Sequence, residues 1–479
     1  MNAPGPEMRL SVVHVASEVA PFSETGGLGV VAGALPSALA NAGIRTSVIT
    51  PCYRSIPKSL YRDTGASVHV TIGGRKARID IMVGELEHGV PVYLLKCDEA
   101  YDRDGIYGPR PSTDFADNAW RYALLCEGAL AVSRRLRLHP DIFHCHDWQT
   151  GLLPLICHER MGRWVRSIMT IHNLGYHGTF PADTVEELGL SRSQFHPGGI
   201  EFWGWLSFLK AGLVYAERLT TVSPTYAQEI QSARHGHGLD GVLSSRSADL
   251  VGILNGLPPQ KPAADGTPVP PSADAMLEDK AQKRTALVEQ MGLVDDDTPI
   301  FVVVSRLVSQ KGIDLLPAAA SNLLNAGAIR LAILGSGDAE LEQTLVAMAQ
   351  RWPDRVAVHI GYDESRSTLF LSGGDALLMP SRYEPCGLTQ LFALRCGTLP
   401  VVRKTGGLAD TVTDGESGFT FDEATSHAFA GAIDRARMTY KNDQSAWTRM
   451  QRAAMDADFS WNRSAQEYAE LYTEVHDAA

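Results

Sequence analysis

Residues 299–312 of this 479-residue chain, PIFVVVSRLVSQKG, contain the pattern from which the fold is inferred. The apolar run Pro299–Ser305 is rich in β-branched residues, which is typical of a strand buried on both faces. Arg306 and Lys311 follow it, so we expect both cations at the carboxyl end of that strand. Similar short runs alternate with longer helical patterns along the whole chain, and this alternation predicts parallel sheets with helices on both faces.

The alternation is interrupted once, at residues 255–272 (NGLPPQKPAADGTPVPPS), where prolines and short polar residues indicate a linker. The predicted strands are Leu10–Ala16, Arg45–Thr50, Val92–Lys96, Asp141–Cys145, Ser167–Ile171, Arg218–Val222, Leu250–Leu254, Pro299–Ser305, Arg330–Gly335, Arg355–Ile360, Ala376–Met379 and Thr398–Val402. The predicted helices include Gly27–Ala42, Phe115–Leu136, Gly151–Arg160, Leu206–Glu217, Ala273–Met291 and Trp461–Val475.

We therefore expect an α/β fold of two Rossmann-like, doubly wound domains that face a deep cleft, because ligands of such sheets bind beyond the carboxyl ends of the strands. The expected N-terminal domain spans residues 8–256, a linker with a helix spans 257–295, and the C-terminal domain spans 296–460. The helix at 461–475 has no strand after it and is expected to pack on the first domain.

Composition narrows the class of protein. The chain has 43 Lys and Arg against 55 Asp and Glu, a formal net charge of −12, whereas nucleic-acid binding normally exploits a basic excess. An anionic ligand must therefore meet a local cluster of cations. The seven cysteines are odd in number and lie mostly in apolar stretches, which indicates reduced thiols. No apolar run approaches the length of about 18 residues that a membrane helix needs, so we expect a soluble, cytoplasmic protein without nucleic-acid or membrane partners.

A glycine-rich segment, Gly26–Gly33 (GGLGVVAG), follows the first predicted strand and opens a helix. From Gly27 to Ala32 it formally matches a dinucleotide-binding fingerprint. A long preceding loop, and a second strand that ends at Pro51 without a carboxylate for a ribose, weaken that interpretation. A plain tight turn is an alternative. We favour a loop that faces a phosphate or a sugar, with Gly26 and Gly27 as candidate ligand-binding residues.

Three strand ends in the second half carry residues suited to a sugar diphosphate. Arg306 and Lys311 place two cations together in an acidic protein, which fits a polyanion better than an exposed loop. Glu384 can accept hydrogen bonds from sugar hydroxyls, and a helix cap is its alternative role. Backbone amides of two nearby segments can bind phosphate oxygens. These amides belong to Gly387, Leu388 and Thr389, and to Gly406 and Gly407.

In the first half, His172 directly follows a predicted strand, and both a ligand-contacting and a structural role fit it. His144 and His146 suggest a metal site. Alternating residues of one strand give only two ligands on one face, and no second cluster completes a site, so we expect no metal. Several aromatic side chains can either stack on sugar rings or pack in the core. They are Trp120, Tyr176, Trp203 and Trp205.

Together these segments resemble one family, the bacterial glycogen synthases and plant starch synthases, which are retaining glucosyltransferases of the GT-B fold. The resemblance spans nearly the whole chain in the family's order. The matching stretches are Ser17–Phe22 with Thr25–Gly29, His144–Trp148, Thr170–Gly175, Phe208–Gly212, Thr221–Tyr226, Gly238–Gly241, Ile253–Gly256, Ser305–Gly312 and Pro380–Leu391.

The resemblance implies transfer of glucose from ADP-glucose, or UDP-glucose in some relatives, to the non-reducing end of an α-1,4-glucan. It implies retention of configuration and no metal or other cofactor. Arg306 and Lys311 would hold the donor diphosphate, Glu384 would bind glucose hydroxyls, and His172 would contact the glucose near its 6-hydroxyl. The amides of residues 387–389 would supply further donors. The residues expected to bind the acceptor are Asp147, Tyr176 and Asp240.

Three departures from the family pattern leave alternatives open. Glu24 stands where the family usually has Lys, which puts an anion where a cation is expected near the donor. Val30 replaces an Asp, and Leu257-Pro258 replaces an Ile-Asp pair, so each of these changes removes a carboxylate. The alternatives are a non-catalytic, glucan-binding or regulatory protein of the same fold, and a related glycosyltransferase that uses another donor.

Overall fold

A computed structural model describes residues 10–110, 113–161, 165–258, 272–361 and 363–477. The chain divides into two units. Unit 1 contains Met1–Gly256 and Ser460–Ala479, and unit 2 contains Leu257–Phe459. Most of the predicted linker, residues 259–271, lies outside the described residues.

The described strands follow the predicted alternation and add six strands to it, four of them short and two of 11 residues. They are β1 (Ser11–Val15), β2 (Arg45–Pro51), β3 (Arg62–Ile72), β4 (Arg75–Glu85), β5 (Pro91–Lys96), β6 (Ile142–His146), β7 (Arg166–Ile171), β8 (Thr179–Phe180), β9 (Glu201–Phe202), β10 (Trp205–Ser207), β11 (Arg218–Thr221), β12 (Leu250–Gly252), β13 (Ile300–Val304), β14 (Arg330–Gly335), β15 (Val356–Ile360), β16 (Ala376–Met379), β17 (Leu399–Arg403) and β18 (Phe419–Phe421).

The described helices lie mainly between these strands. They are α1 (Gly27–Asn41), α2 (Asp98–Tyr101), α3 (Asn118–Leu136), α4 (Leu152–Met161), α5 (Thr184–Glu187), α6 (Phe208–Tyr215), α7 (Pro224–Glu229), α8 (Asp240–Ser245), α9 (Ala273–Met291), α10 (Leu316–Asn325), α11 (Ala339–Arg351), α12 (Glu364–Gly373), α13 (Thr389–Arg395), α14 (Gly406–Thr411), α15 (Ser426–Asn442), α16 (Gln444–Asp456) and α17 (Trp461–Asp477).

In unit 1 the main sheet has the strand order β12-β11-β7-β6-β1-β2-β5-β4-β3 among the described residues. The strands from β12 to β5 are parallel, as the alternation predicts. The expectation of parallel strands throughout was wrong at one edge, because β4 runs antiparallel to both β3 and β5. Polar residues alternate with apolar ones in β3 and β4, the pattern of strands with one exposed face. A small antiparallel sheet, β8-β10-β9, was also not predicted.

In unit 2 the described strands form a parallel sheet of order β15-β14-β13-β16-β17-β18. Residues 300–303 of β13 are fully buried in the middle of this sheet, as expected for a strand covered on both faces. Since β13 and β16 are parallel neighbours, the segments that follow them lie at the same edge of the sheet.

The C-terminal helix α17 packs on α1 within unit 1. Trp461, Tyr468 and Tyr472 are buried in one apolar cluster with Leu35 and Leu39 of α1. All seven cysteines lie in the described residues and are free thiols, in line with the expected reduced state. No described helix combines the length and the apolar character that crossing a bilayer requires.

Candidate active site

Lys311 and Glu384 form an ion pair at the carboxyl ends of β13 and β16. Lys311 Nζ donates to Glu384 Oε2 at 2.5 Å, and Ser381 Oγ donates to the same oxygen at 3.0 Å. The Lys311 and Glu384 side chains are only 16% and 6% exposed. Within the described residues both contacts use Oε2, so Oε1 remains to accept a hydrogen bond from a ligand.

Tight packing between the loop after β13, which carries Lys311, and the loop after β16, which carries Glu384, holds this ion pair in place. Gly312 adopts a φ of 67°, and a Cβ there would lie 2.0 Å from the carbonyl oxygen of Pro380, so only glycine permits this approach. The Arg382 amide donates to the Gln310 carbonyl at 2.8 Å. The Arg382 guanidinium also donates to both carboxylate oxygens of Asp314 at 2.7 Å. The loop after β13 is therefore fixed against the loop after β16.

Arg306 is exposed, whereas Lys311 is largely buried. The Arg306 guanidinium lies 3.5 Å from Oε1 of Gln310. Gln310 Nε2 in turn donates to the Tyr383 carbonyl at 3.3 Å. The structure thus brings Arg306, Lys311 and Glu384 to one edge of the unit 2 sheet, where the sequence predicted them.

The predicted phosphate-binding segment Gly406–Gly407 packs against residues 384–386, directly before the other predicted segment. Gly406 has a φ of 44°, and a Cβ there would lie 1.9 Å from the Glu384 carbonyl oxygen. The Gly407 amide donates to that same oxygen at 3.1 Å. Helix α13 begins at Thr389, and amides of a first helical turn have no partner inside the helix. The segment that enters this turn consists of Gly387, Leu388 and Thr389.

In unit 1, His172 follows β7 and ends a chain of histidines from three neighbouring strands. His172 Nε2 lies 2.9 Å from Nδ1 of His146, and His146 Nε2 lies 3.2 Å from Nδ1 of His14. Burial disfavours the charged imidazolium. It lowers the pKa of His14 and of His172 to about 3, and the pKa of His146 well below its usual value. His172 is therefore neutral at physiological pH.

Asp147 supports the turn that carries His172. Its Oδ1 accepts the backbone amide of His172 at 2.7 Å and that of Asn173 at 3.4 Å. Asp147 itself has a φ of 56°, in the left-handed region. Burial raises the pKa of Asp147 to about 7, although the two backbone hydrogen bonds act in the opposite direction.

A third histidine changes the interpretation of residues 144–147 (HCHD), which contain the two histidines first considered as metal ligands. Ring nitrogens of His14, His144 and His146 lie within 4.8 Å of one another, so the expectation of only two candidate ligands was wrong. Both ring nitrogens of His144 nevertheless have partners, the Tyr472 hydroxyl at 2.7 Å and Thr170 Oγ1 at 2.5 Å. The described group of potential ligands contains no carboxylate to balance a buried dication. The cluster fits a network of neutral, hydrogen-bonded rings better than a metal site.

Glu18 fixes the glycine loop. The Thr25 hydroxyl donates to Glu18 Oε1 at 2.8 Å, and the Thr25 amide and the Tyr107 hydroxyl also donate to this buried carboxylate. Gly26 and Gly27 are exposed at the start of α1, and a Cβ on Gly26 would meet nothing within 4 Å. The loop is thus anchored at Thr25 and open at its two glycines.

Three of the four aromatic candidates are exposed in unit 1. The exposed fractions are 54% for Tyr176, 80% for Trp203 and 50% for Trp205. Trp203 occupies the turn between β9 and β10, and a Cβ on Gly238 would lie 3.3 Å from its Nε1. Trp203 therefore lies beside the segment that leads to Asp240, the first residue of α8.

Trp120 belongs to the core instead. It is buried, and the Arg75 guanidinium lies 3.6 Å from its ring centroid. A role in stacking on a sugar ring therefore does not fit it.

Sequence reasoning missed the residues that support the site. Arg403 is buried at the end of β17 and donates to the carbonyls of Ser381, at 3.2 Å, and Arg382, at 2.6 Å. Glu18 and His14 were also not identified as site residues. An ionisable residue inside or next to an apolar strand is the signal that could have marked all three.

Comparison with known proteins extends over both units. A family model described as "Starch synthase catalytic domain" matches residues 11–245, and one described as "Glycosyl transferases group 1" matches residues 288–450. A relative named "Glycogen synthase" from Syntrophotalea carbinolica is 43% identical, over 98% of this chain and 100% of its own. Another of that name from Nitrosospira multiformis is 41% identical, over 97% of each chain.

Solved structures show the same similarity. The catalytic domain of Starch Synthase IV from Arabidopsis thaliana, bound to ADP and acarbose, matches with a TM-score of 0.88 at 31% identity, covering 98% of this chain and 100% of that one. Sucrose-phosphate synthase from Thermosynechococcus elongatus matches with a TM-score of 0.63 at 19% identity, covering 98% and 100%, which is a similarity of fold.

Proposed function

The chain belongs to the family of glycogen and starch synthases, glucosyltransferases of the GT-B fold, and from this premise we propose its donor, its acceptor and the roles of its residues. The proposed reaction transfers glucose from ADP-glucose to the non-reducing end of an α-1,4-glucan with retention of configuration. The observation that supports it most is the ion pair of Lys311 and Glu384 with Arg306 at the same sheet edge. The free cysteines fit a reducing compartment, so we place the enzyme in the cytoplasm.

Arg306 and Lys311 bind the donor diphosphate in this proposal. Cleavage of the bond between glucose and diphosphate develops negative charge on the leaving group, and cations that are already in position stabilise that charge in the transition state. An ammonium group has three N–H donors, so Lys311 can hold Glu384 with one and phosphate oxygens with the others. These two cations supply the neutralisation that a metal ion would otherwise provide.

Glu384 and His172 recognise the glucose. Glu384 Oε1 accepts from a glucose hydroxyl, while Oε2 keeps its contacts with Lys311 and Ser381. The neutral imidazole of His172 hydrogen-bonds the 6-hydroxyl. Glu384 lies in unit 2 and His172 in unit 1.

Backbone amides supply the remaining contacts to the diphosphate. Glycines at these positions let phosphate oxygens approach the backbone, and amides of a first helical turn are unpaired inside the helix. The anchored loop before α1 contributes in the same way. The residues assigned to this role are Gly26, Gly27, Gly387, Leu388, Thr389 and Gly406. The Gly407 amide already donates to the Glu384 carbonyl, so Gly407 contributes by its lack of a side chain rather than as a donor.

Retention follows from attack on the face of the sugar from which the diphosphate leaves. The bond from C1 to the diphosphate oxygen breaks, and a bond from C1 to the acceptor 4-oxygen forms on the same face. The acceptor hydroxyl passes its proton to the departing diphosphate, which Arg306 and Lys311 keep close to the oxocarbenium-like sugar. This step needs no protein nucleophile.

The acceptor glucan binds to unit 1. Tyr176, Trp203 and Trp205 offer exposed rings on which successive glucose units can stack, and Asp240 lies next to the Trp203 segment. Asp147 contributes through the turn that it supports at His172.

A non-catalytic glucan-binding protein is a second candidate, and Glu24 favours it. Glu24 is exposed next to Thr25 at the glycine loop, and a carboxylate there opposes a diphosphate. Incubation with glycogen and labelled ADP-glucose or UDP-glucose separates the two candidates. Incorporation with release of nucleoside diphosphate supports the synthase. Glycogen binding without incorporation from either donor supports the second candidate.

A further inference from the structure

We infer that His14 and His146 are positioning residues that fix His172 in one tautomer, with its proton on Nδ1. The arrangement is a relay of three rings, His14, His146 and His172, called here the histidine relay. The significance for catalysis rests on the proposed function, in which His172 contacts the donor glucose. The tautomer itself follows from contacts inside unit 1 alone.

The relay couples the three tautomers. His14 Nδ1 lies 3.2 Å from His146 Nε2, and His146 Nδ1 lies 2.9 Å from His172 Nε2. Each contact needs one N–H and one lone pair, and a neutral imidazole has one of each. A proton placed on either nitrogen of His14 therefore decides the positions of the protons on His146 and His172.

The buried end of the relay sets its direction. His14 Nε2 is buried and has no hydrogen-bond partner in the described part of the chain. If His172 donated to His146 and His146 donated to His14, the proton of His14 would sit on Nε2 as an N–H without a partner. If His14 donates to His146 and His146 donates to His172, Nε2 of His14 carries only a lone pair. Orphaned buried N–H groups are rarer in proteins than under-satisfied acceptors. His14 Nδ1 therefore donates to His146, and His146 Nδ1 donates to His172.

The surroundings keep the relay separate from neighbouring groups. His144 stacks on His146 with ring centroids 4.2 Å apart, but its own nitrogens bind Tyr472 and Thr170. Asp147 contacts the backbone of His172 rather than its ring. His172 thus accepts a hydrogen bond at Nε2 from His146 Nδ1–H and presents its own Nδ1–H as a donor, which suits the lone pair of a sugar hydroxyl.

Nitrogen NMR of histidine tests the inference without any substrate. The full-length protein, labelled with ¹⁵N in its histidine rings, is compared with His146→Leu, and the His172 signals are assigned by their loss in His172→Asn. The expected result is a single Nδ1–H tautomer for His172 in the original protein and a mixture of tautomers in His146→Leu. An Nε2–H tautomer in the original protein, or an unchanged Nδ1–H tautomer in His146→Leu, would overturn the inference.

Two further variants separate positioning from general damage to the core. His146→Asn keeps an amide N–H near the position of Nδ1, so it can still donate to His172 Nε2. It should therefore restore, at least in part, the Nδ1–H tautomer of His172 that His146→Leu loses. His144→Phe removes an equally buried histidine outside the relay, so it should leave that tautomer unchanged even if the free energy of unfolding falls. A change of tautomer in His144→Phe equal to that in His146→Leu would contradict the relay.

Kinetics then connect the relay to the reaction. In His146→Leu we expect kcat to fall about tenfold or more, with recovery in His146→Asn. The KM for glycogen should stay within about twofold, because the exposed rings of Tyr176, Trp203 and Trp205 are unchanged. An equal loss of kcat in both variants would contradict the role in positioning. A protein that transfers no glucose but shows the Nδ1–H tautomer would refute the proposed function and leave the relay intact.

Discussion

Lys311 Nζ donates to Glu384 Oε2 across two adjacent parallel strands, and this contact joins the group proposed to hold the diphosphate to the group proposed to hold the sugar. The pair is largely buried, so neither charge is fully solvated. In the proposed roles of these two residues, binding of the diphosphate and binding of the glucose would be coupled through this one contact.

Removal of either side chain should lower the rate strongly. For Lys311→Ala we expect kcat to fall at least roughly a hundredfold, because a preorganised donor in an anion site contributes about 2.7–4 kcal/mol to transition-state stabilisation. We expect a fall of at least the same size for Glu384→Ala, because this change removes the acceptor for the glucose hydroxyl and the partner of Lys311 together. Steady-state kinetics with ADP-glucose and glycogen measure this. A rate near that of the original protein in both variants would refute the role assignment.

A neutral double variant controls for stability. Either single change leaves one unpaired buried charge and should lower the free energy of unfolding. Removal of one partner from a buried ion pair costs about 3–5 kcal/mol. Lys311→Met with Glu384→Gln removes both charges and should recover part of that stability. Its kcat should remain low. Recovery of kcat together with stability would show that the pair is structural.

Glu24→Lys should tighten donor binding. A cation in place of an exposed anion beside the glycine loop should lower the KM for ADP-glucose roughly threefold to tenfold, because exposed charge interactions contribute about 0.2–1 kcal/mol each. The effect should weaken at high salt. Glu24→Gln serves as the control and should give an intermediate KM. An unchanged KM in both variants would place Glu24 away from the donor.

Asp147→Asn should change how stability depends on pH. Burial raises the pKa of Asp147 to about 7, so between about pH 4 and pH 7 the folded protein holds a proton that the unfolded chain has lost. This carboxyl group therefore lowers the free energy of unfolding as pH rises through that range. Asn keeps an oxygen for the His172 amide and lacks the titration.

Denaturant unfolding of both proteins from pH 4 to pH 8 checks this prediction. The stability of Asp147→Asn relative to the original protein should increase up to about pH 7 and then level off. The buried histidines titrate in both proteins and cancel in the difference. Curves that stay parallel over the whole range would contradict the raised pKa.

Trp203→Ala should weaken binding of long acceptors. Loss of one stacking ring should raise the KM for glycogen roughly threefold to tenfold, since interactions of aromatic faces are worth about 0.5–1.5 kcal/mol. Met438→Ala, which removes an exposed apolar side chain of unit 2, is the matched control and should leave that KM unchanged. Equal effects of the two changes would argue against a glucan surface at Trp203.

The strand ends that carry the site were predictable because their signals are local. The observed bounds of β14, β16 and α9 equal the predicted ones, and Lys311 and Glu384 lie at strand ends as the apolar runs before them indicate. The family and the α/β GT-B fold were also inferred correctly from motifs such as residues 305–312.

What the sequence did not show depends on distant pairing. His14 meets His146 only because β1 and β6 are neighbours in the sheet, although 132 positions separate the two residues. The same holds for Tyr107, which reaches Glu18 from 89 positions away. Nothing in either local pattern indicates its partner, since strand order is decided by packing of the whole unit.

Transfer of labelled glucose from ADP-glucose to glycogen tests the central proposal most directly. We predict incorporation into α-1,4 linkages with one ADP released per glucose, and loss of at least roughly 99% of that rate in Lys311→Ala. Absence of incorporation from both ADP-glucose and UDP-glucose, in a folded protein that still binds glycogen, would contradict it.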